Sequence, residues 1–145
     1  MQRIEKEMKA AQHLLYVSLK YTKTCDVILN LIQRWSNTIA LCIDALLNKA
    51  KNKKIIKAIP LAPKPKIEAL EKVFKKEEIV KSTLSLYSFF RRVPTAELIR
   101  EHEFRKNVAL RILLPGKETI VDLEKLKEWQ ALLENFIKFV RVYTA

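Results

Sequence analysis

Apolar residues recur every three or four positions along most of this chain, which is the spacing of one face of an α-helix. The spacing is most regular over residues 24–50, where polar side chains follow the opposite face at the same period. The apolar stripe of this segment consists of Ile28, Leu31, Trp35, Ile39, Cys42 and Leu46. A looser form of the pattern covers residues 2–21. The two segments predict a first helix and a long second helix with one solvated face.

Three further helices are predicted in the second half of the chain. Pro65 suits the first turn of a third helix over residues 66–90. A proline has no amide hydrogen to donate, and amides in the first turn of a helix have no helical partner in any case. Thr95 is placed to cap a fourth helix that runs to about Ala109 or a turn further. Asp122 is placed to cap a fifth helix. The apolar stripe of the fifth helix consists of Leu126, Trp129, Leu133, Phe136, Ile137 and Val140.

Residues 111–122 are ambiguous between helix and strand. Two β-prone stretches flank Pro115 and Gly116, an arrangement that is compatible with a tiny hairpin. The predicted fold class is therefore an all-α bundle of about five helices, with a hairpin possible at residues 111–122. A chain of 145 residues is expected to form one domain, spanning residues 1–145.

Glycine is almost absent, and this excludes several classes of enzyme. The single glycine, Gly116, follows Pro115 in a turn. None is left for a phosphate-binding loop, a dinucleotide-binding turn or a nucleophile elbow, all of which need backbone conformations that glycine tolerates. Only two histidines, His13 and His102, are present, and neither a CxxC nor an HExxH motif occurs. The sequence therefore predicts no catalytic residue, no metal and no cofactor, and it favours a protein without enzymatic activity.

The charge balance indicates the kind of partner. The chain carries 28 basic and 16 acidic residues, a net charge of +12, which attracts polyanions or an acidic partner. A composition rich in Lys, Ile and Glu is also common in heat-adapted proteins, so the charge has a second explanation. Half of it lies in residues 51–66, which hold six lysines, three prolines and no acid. This segment is predicted to be an extended basic linker that contacts phosphates or, alternatively, a solvated connector.

The predicted fourth helix offers a second basic surface. Arg100, Glu103, Asn107 and Arg111 fall at steps of three, four and four residues, which places them on one helix face. Arginine forms fork-like contacts with phosphate, and an asparagine amide can bond a ribose or a base edge. Ion pairing along the helix is the alternative. The predicted RNA- or phosphate-binding residues are Arg100, Arg105, Lys106, Asn107, Arg111, Lys51, Lys53, Lys54 and Lys57.

The segment EFRKNVALRI, residues 103–112, resembles the signature region of HEPN-domain proteins. These are small prokaryotic helical bundles that often dimerise and include metal-independent ribonucleases. Arg105 matches the arginine of the family pattern, and Lys106 with Asn107 matches the polar position after it. The family histidine is missing, since Leu110 occupies its place and cannot exchange a proton. The resemblance thus implies a helical homodimer that binds RNA with little or no cleavage.

Two functions from different classes follow. The first is a HEPN-like cytoplasmic protein that binds RNA or another polyanion. The alternative is a helical protein–protein interaction module, an adaptor or antitoxin-type partner, that docks through Tyr87, Phe89 and Phe90. No apolar stretch is long enough to cross a membrane. Cys25 and Cys42 lie about 25 Å apart along one predicted helix, so free buried thiols are expected.

Overall fold

Five helices make up most of the molecule, and a small antiparallel sheet is inserted before the last of them. A computed structural model describes all residues, 1–145, of which 68% are helical. Helix α1 consists of an α-helical stretch Gln2–His13, a π-helical turn Leu14–Ser18 and a last turn Leu19–Tyr21. The others are α2 (Cys25–Asn52), α3 (Pro63–Val73), α4 (Glu78–Arg92) and α5 (Leu123–Thr144). The mostly helical fold and the number of helices are thus confirmed.

The sheet has the order β1–β2–β3, with β1 at Glu97–Glu101, β2 at Ala109–Leu114 and β3 at Lys117–Val121. Both strand pairs are antiparallel. The hairpin predicted within residues 111–122 is present as β2 and β3. Its turn is made by Pro115 and Gly116, and Gly116 has φ +73°, a left-handed conformation that glycine adopts without steric cost.

The predicted fourth helix over residues 95–109 is wrong. Thr95 ends a short 3-10 turn, and the residues after it form β1, a loop at residues 102–108 and the start of β2. Burial alternates along β2, so that Leu110, Ile112 and Leu114 face the helices and are at most 8% exposed. This period of two fits a strand packed on one face, and such packing outweighs the weak helix propensity of the segment.

Two predicted boundaries are also corrected. The third helix is divided at residues 74–77, and the break sets the ring of Phe74 against Phe139 and Tyr143 of α5 at 5.4 and 4.9 Å between centroids. The predicted linker at 51–66 is shorter, because α2 extends to Asn52 and Pro63 begins α3. The irregular segment is therefore confined to residues 53–62.

The core centres on Trp35 of α2, whose side chain is fully buried. Its ring stacks on Phe90 at 6.1 Å and meets Trp129 edge-on at 6.2 Å. The indole nitrogen donates a hydrogen bond of 3.1 Å to the Gln130 side-chain oxygen. Buried side chains from all five helices, β2 and β3 join this cluster. Asp122 caps α5 as predicted, its carboxylate accepting from the Lys125 amide at 2.8 Å. None of the helices combines the length and apolar character that a bilayer crossing requires.

Both cysteines are free and buried, as expected, and Cys42 gives the fold a pH dependence. Burial raises the pKa of the Cys42 thiol from 9.0 to about 12. Above pH 9.0 the unfolded chain therefore loses a proton that the folded chain keeps. We expect the Cys42 contribution to the free energy of unfolding to fall by up to about 1.4 kcal/mol per pH unit between these two values.

Urea unfolding of wild type and Cys42→Ala across this alkaline range measures the effect. Other ionisable groups cancel in the comparison, so the variant should lose stability less steeply than wild type. Parallel pH curves for the two proteins would contradict the assigned burial of the thiol.

Candidate functional site

Two of the predicted arginines are held by carboxylates. Arg100 donates to Asp26 at 2.8 Å and to Glu103 at 3.3 Å, and these bonds raise the pKa of its guanidinium above the ordinary value. Arg111 donates to Glu101 at 3.1 Å and also pairs with Glu118. The charges of both arginines are therefore matched locally by acids.

Arg100 and Arg111 also do not share a face. Arg100 lies opposite Leu110 in the β1–β2 register, and successive side chains of a strand point to opposite sides of the sheet. Arg111, which follows Leu110 directly, is therefore on the other side of the sheet. The expected helix face with Arg100, Glu103, Asn107 and Arg111 does not form.

Arg105, Lys106 and Asn107 lie together in the loop at residues 102–108. All three side chains are exposed, and neither basic residue has an ion-pair partner. The loop is anchored, because the Phe104 amide donates to the Lys23 carbonyl at 2.6 Å. Internal bonds from the Arg105 and Val108 amides close two turns within it. These three residues are consequently presented beside the junction of α1 and α2.

The four linker lysines in the predicted site lie elsewhere. Lys51, Lys53, Lys54 and Lys57 are exposed at the end of α2 and just after it, and Lys53 sits 4.2 Å from the centroid of the Tyr143 ring. Helix α2 has 28 residues, a length of about 40 Å, and the loop at 102–108 lies at its opposite end. The structure therefore does not bring the two predicted basic groups together.

The three aromatic residues of the predicted protein-docking patch belong mostly to the interior. Tyr87 is 7% and Phe90 is 2% exposed, and Phe89 packs partly buried against the core. Phe89 also contacts Phe90 and Trp129, at 6.2 and 6.0 Å between centroids. These rings therefore do not form an exposed patch.

A groove that the sequence did not reveal lies between the end of α1, the loop at 102–108 and the start of α5. Its floor is apolar and is formed by the buried Leu15, Leu19 and Val108, with the more exposed Leu123 and Tyr16 at its edge. It encloses a volume of about 210 Å³. We name it the lysine groove, because its remaining lining residues are Lys20, Lys23, Lys106 and Lys127.

The four lysines give the lysine groove an unbalanced positive charge. No acidic residue lines it, and none of the four lysines takes part in an ion pair. The Lys23 ammonium donates to the Lys20 backbone carbonyl at 2.6 Å, which fixes the position of one of the four charges. Four ammonium groups around one recess repel one another, so a bound anion of several charges would be stabilised there.

One exposed aromatic side chain lines the lysine groove, and two more belong to the segments beside it. Tyr16 is 51%, Tyr21 77% and Phe104 75% exposed. The Tyr21 ring centroid lies 5.9 Å from the Lys20 ammonium, and Phe104 is tied to Lys23 through its backbone. Aromatic rings that gain little burial within the molecule are available to a ligand.

The π-helical turn Leu14–Ser18 carries Leu15 and Tyr16 into the groove. A π-helical turn inserts one extra residue into a helix, and such turns are found frequently at functional sites. The loop opposite is unusual as well, since His102 and Phe104 have φ of 53° and 66°. A left-handed conformation at a bulky residue costs about 1–2 kcal/mol. The π-helical turn and the loop at 102–108, on two sides of the groove, therefore both depart from regular backbone geometry.

Phe104 gives a direct test of that strain. Phe104→Gly is expected to raise the free energy of unfolding by about 0.5–1 kcal/mol, because glycine tolerates the left-handed backbone and the exposed ring loses little packing. Phe104→Ala keeps a Cβ and is the matched control, for which no gain is expected. Urea unfolding of both variants measures the difference. Equal stabilities for glycine and alanine would argue that the loop stores no strain.

Lys106 is the only groove residue among the predicted binding residues. Lys20, Tyr21 and Lys23 lie close together in the sequence. This mixture of basic and aromatic residues at a helix end is a sequence signal that could have indicated the groove. No sequence signal pointed to Lys127, because its place at the groove depends on how α5 packs beside the loop.

Comparisons with protein-family models, with curated protein sequences and with solved structures found no match to this chain. The segment that resembles the HEPN signature, residues 103–112, folds as a loop and a strand rather than as a helix. Leu110, at the place of the family histidine, is fully buried. The HEPN resemblance and the homodimer that it implies stay predictions, and the lysine groove itself carries the functional inference.

Proposed function

We propose that this protein binds RNA, and that it does so by holding phosphates at the lysine groove. The observation that carries the proposal is the set of four lysines, without an acid partner, around one acid-free recess. Contacts between lysine and phosphate position a nucleic acid without reading its base sequence. The net charge of +12 adds a long-range attraction that speeds the encounter.

The loop at 102–108 extends the same surface. Arg105 and Lys106 add exposed positive charge, and Asn107 presents an amide beside them. The 2′-hydroxyl distinguishes RNA from DNA, and an exposed amide is a suitable partner for it. Three of the nine residues predicted to bind RNA therefore contribute to the proposed site, whereas the paired Arg100 and Arg111 do not.

The test compares two variants of equal net charge by fluorescence anisotropy. One variant replaces three exposed lysines of the groove with glutamine: Lys20, Lys106 and Lys127. The other, the linker variant, replaces three exposed lysines at the end of α2 and in the linker: Lys51, Lys54 and Lys57. The ligand is a labelled RNA of about 12 nucleotides, titrated between about 50 and 200 mM salt.

Wild type should bind steeply less well as salt rises. The groove variant should flatten the logarithmic slope by about 2, because each lost contact with single-stranded phosphate contributes about 0.7. The linker variant should keep most of the wild-type slope. Binding that ignores salt, or equal losses in the two variants, would contradict the assignment of the site.

A further inference from the structure

The lysine groove has a shape that phosphate binding alone does not require. Phosphates can be held by lysines on an open, polar surface. Here the ammonium groups surround an apolar recess of about 210 Å³, whose floor includes the buried side chains of Leu15 and Leu19. An apolar floor inside a cationic rim suits a flat, weakly polar group that is joined to phosphates. A nucleobase at an unpaired position of RNA has this chemistry.

The rings beside the groove point to the same ligand. Tyr16 lines the recess, the Tyr21 ring lies 5.9 Å from the Lys20 ammonium, and the Phe104 backbone is hydrogen-bonded to that of Lys23. The three exposed rings therefore belong to the same segments as the groove lysines. Unpaired bases stack on such rings, whereas the bases of a duplex are already stacked on one another and cannot reach them.

We propose that the lysine groove holds one unpaired base, so that the protein selects single-stranded RNA over duplex RNA. This inference rests on the proposed RNA binding. Adjacent bases stack on Tyr21 and Phe104, and the phosphates between them lie against the rim lysines. Four rim lysines exceed what the single carboxylate of a fatty acid needs, and Tyr21 and Phe104 are not among the residues that line the recess that its chain would fill.

The recess can be closed without changing the charge of the protein. Leu123 is 39% exposed at the mouth of the groove, so Leu123→Trp fills the recess from the solvent side. Leu61 is 96% exposed in the linker, and Leu61→Trp is the matched control. Circular dichroism and thermal melting of both variants establish that each is folded before binding is compared.

The experiment measures anisotropy with three RNAs: a single strand of about 12 nucleotides, its duplex, and the single strand with abasic sites. Wild type should prefer the single strand over both other RNAs by about tenfold or more. Leu123→Trp should weaken binding of the single strand by about fivefold or more, because it removes the base held in the recess while Tyr21 and Phe104 stay in place. Leu61→Trp should behave as wild type. Tyr21→Ala and Phe104→Ala should each weaken the single strand by about fivefold or more.

Each alternative outcome is distinct. Equal binding of single strand and duplex, with the dependence on groove lysines intact, would overturn the base pocket and leave the proposed RNA binding standing. Absence of binding to all three RNAs would overturn both. Displacement of a fluorescent fatty acid from wild type but not from Leu123→Trp, without RNA binding, would reassign the recess to a lipid anion.

Discussion

Trp35→Ala is expected to destabilise the fold by about 3–5 kcal/mol, the largest loss of any single truncation considered for this chain. The indole is fully buried between Phe90 and Trp129, so alanine leaves a cavity at the centre of the core. The substitution also removes the donor to Gln130, which is itself 1% exposed and cannot turn to water. A domain of ordinary stability, about 5–15 kcal/mol, would lose a large share of its margin.

The measurement is urea unfolding followed by far-ultraviolet circular dichroism, because the substitution removes a fluorophore. Trp35→Phe keeps an aromatic ring but loses the donated hydrogen bond and part of the packed volume, so it should cost less than the alanine variant. A loss below about 1.5 kcal/mol for Trp35→Ala would show that Trp35 is not at the centre of the core.

Leu110→His is the second change with a large expected effect. Histidine at this position would complete the arginine–histidine spacing of the HEPN pattern, yet Leu110 is fully buried in β2. The imidazole would lose the packing of leucine and bury polar nitrogens without partners, so we expect destabilisation by about 3 kcal/mol or more. No cleavage of RNA should appear, because residue 110 faces the helices and not the surface that carries Arg105.

Leu113→His is the matched control in the same strand. Leu113 points away from the helices and is only partly buried, so its replacement should cost about 1 kcal/mol or less. Thermal unfolding compares the two variants, and incubation with RNA in EDTA tests for cleavage. Metal-free cleavage by Leu110→His would instead support the HEPN resemblance.

The helices were predictable where one strong stripe or one clear cap marks them. The apolar stripe around Trp35 predicted α2, and Asp122 predicted the start of α5, where its carboxylate accepts from the Lys125 amide. Residues 74–77 contain no proline or glycine, so no local sequence signal predicted the break in the third helix. That break is favoured by the packing of Phe74 on α5, a contact between residues far apart in sequence.

The error over residues 95–109 has a specific cause. The spacing of Arg100, Asn107 and Arg111 fits a helix by count, while the alternation of Leu110, Ile112 and Leu114 fits a strand. The strand forms because it buries Leu110, Ile112 and Leu114 together against the helices. Residues 102–108 then become a loop, since β1 and β2 must reverse direction between them.

The candidate site was only partly predictable, because a basic side chain is free to bind a ligand only if no acidic residue pairs with it, and that residue can be far away in the sequence. Arg100 is paired with Asp26, 74 positions away in the sequence, and no local pattern announces that contact. Lys106 and Lys127 meet at one groove only after the loop and α5 have packed beside α1. Composition predicted a basic protein, and the tertiary structure decides which of its lysines are free.

The most direct test of the account is to map where RNA touches the protein. Photo-crosslinking of 4-thiouridine-labelled RNA to wild type, followed by mass spectrometry of the peptides, reports the contact at residue level. We expect crosslinks at Tyr16, which lines the lysine groove, and at Tyr21 and Phe104, which are next to its lysines Lys20 and Lys23. Crosslinks confined to the linker at residues 53–62, or to the outer face of the sheet, would contradict it.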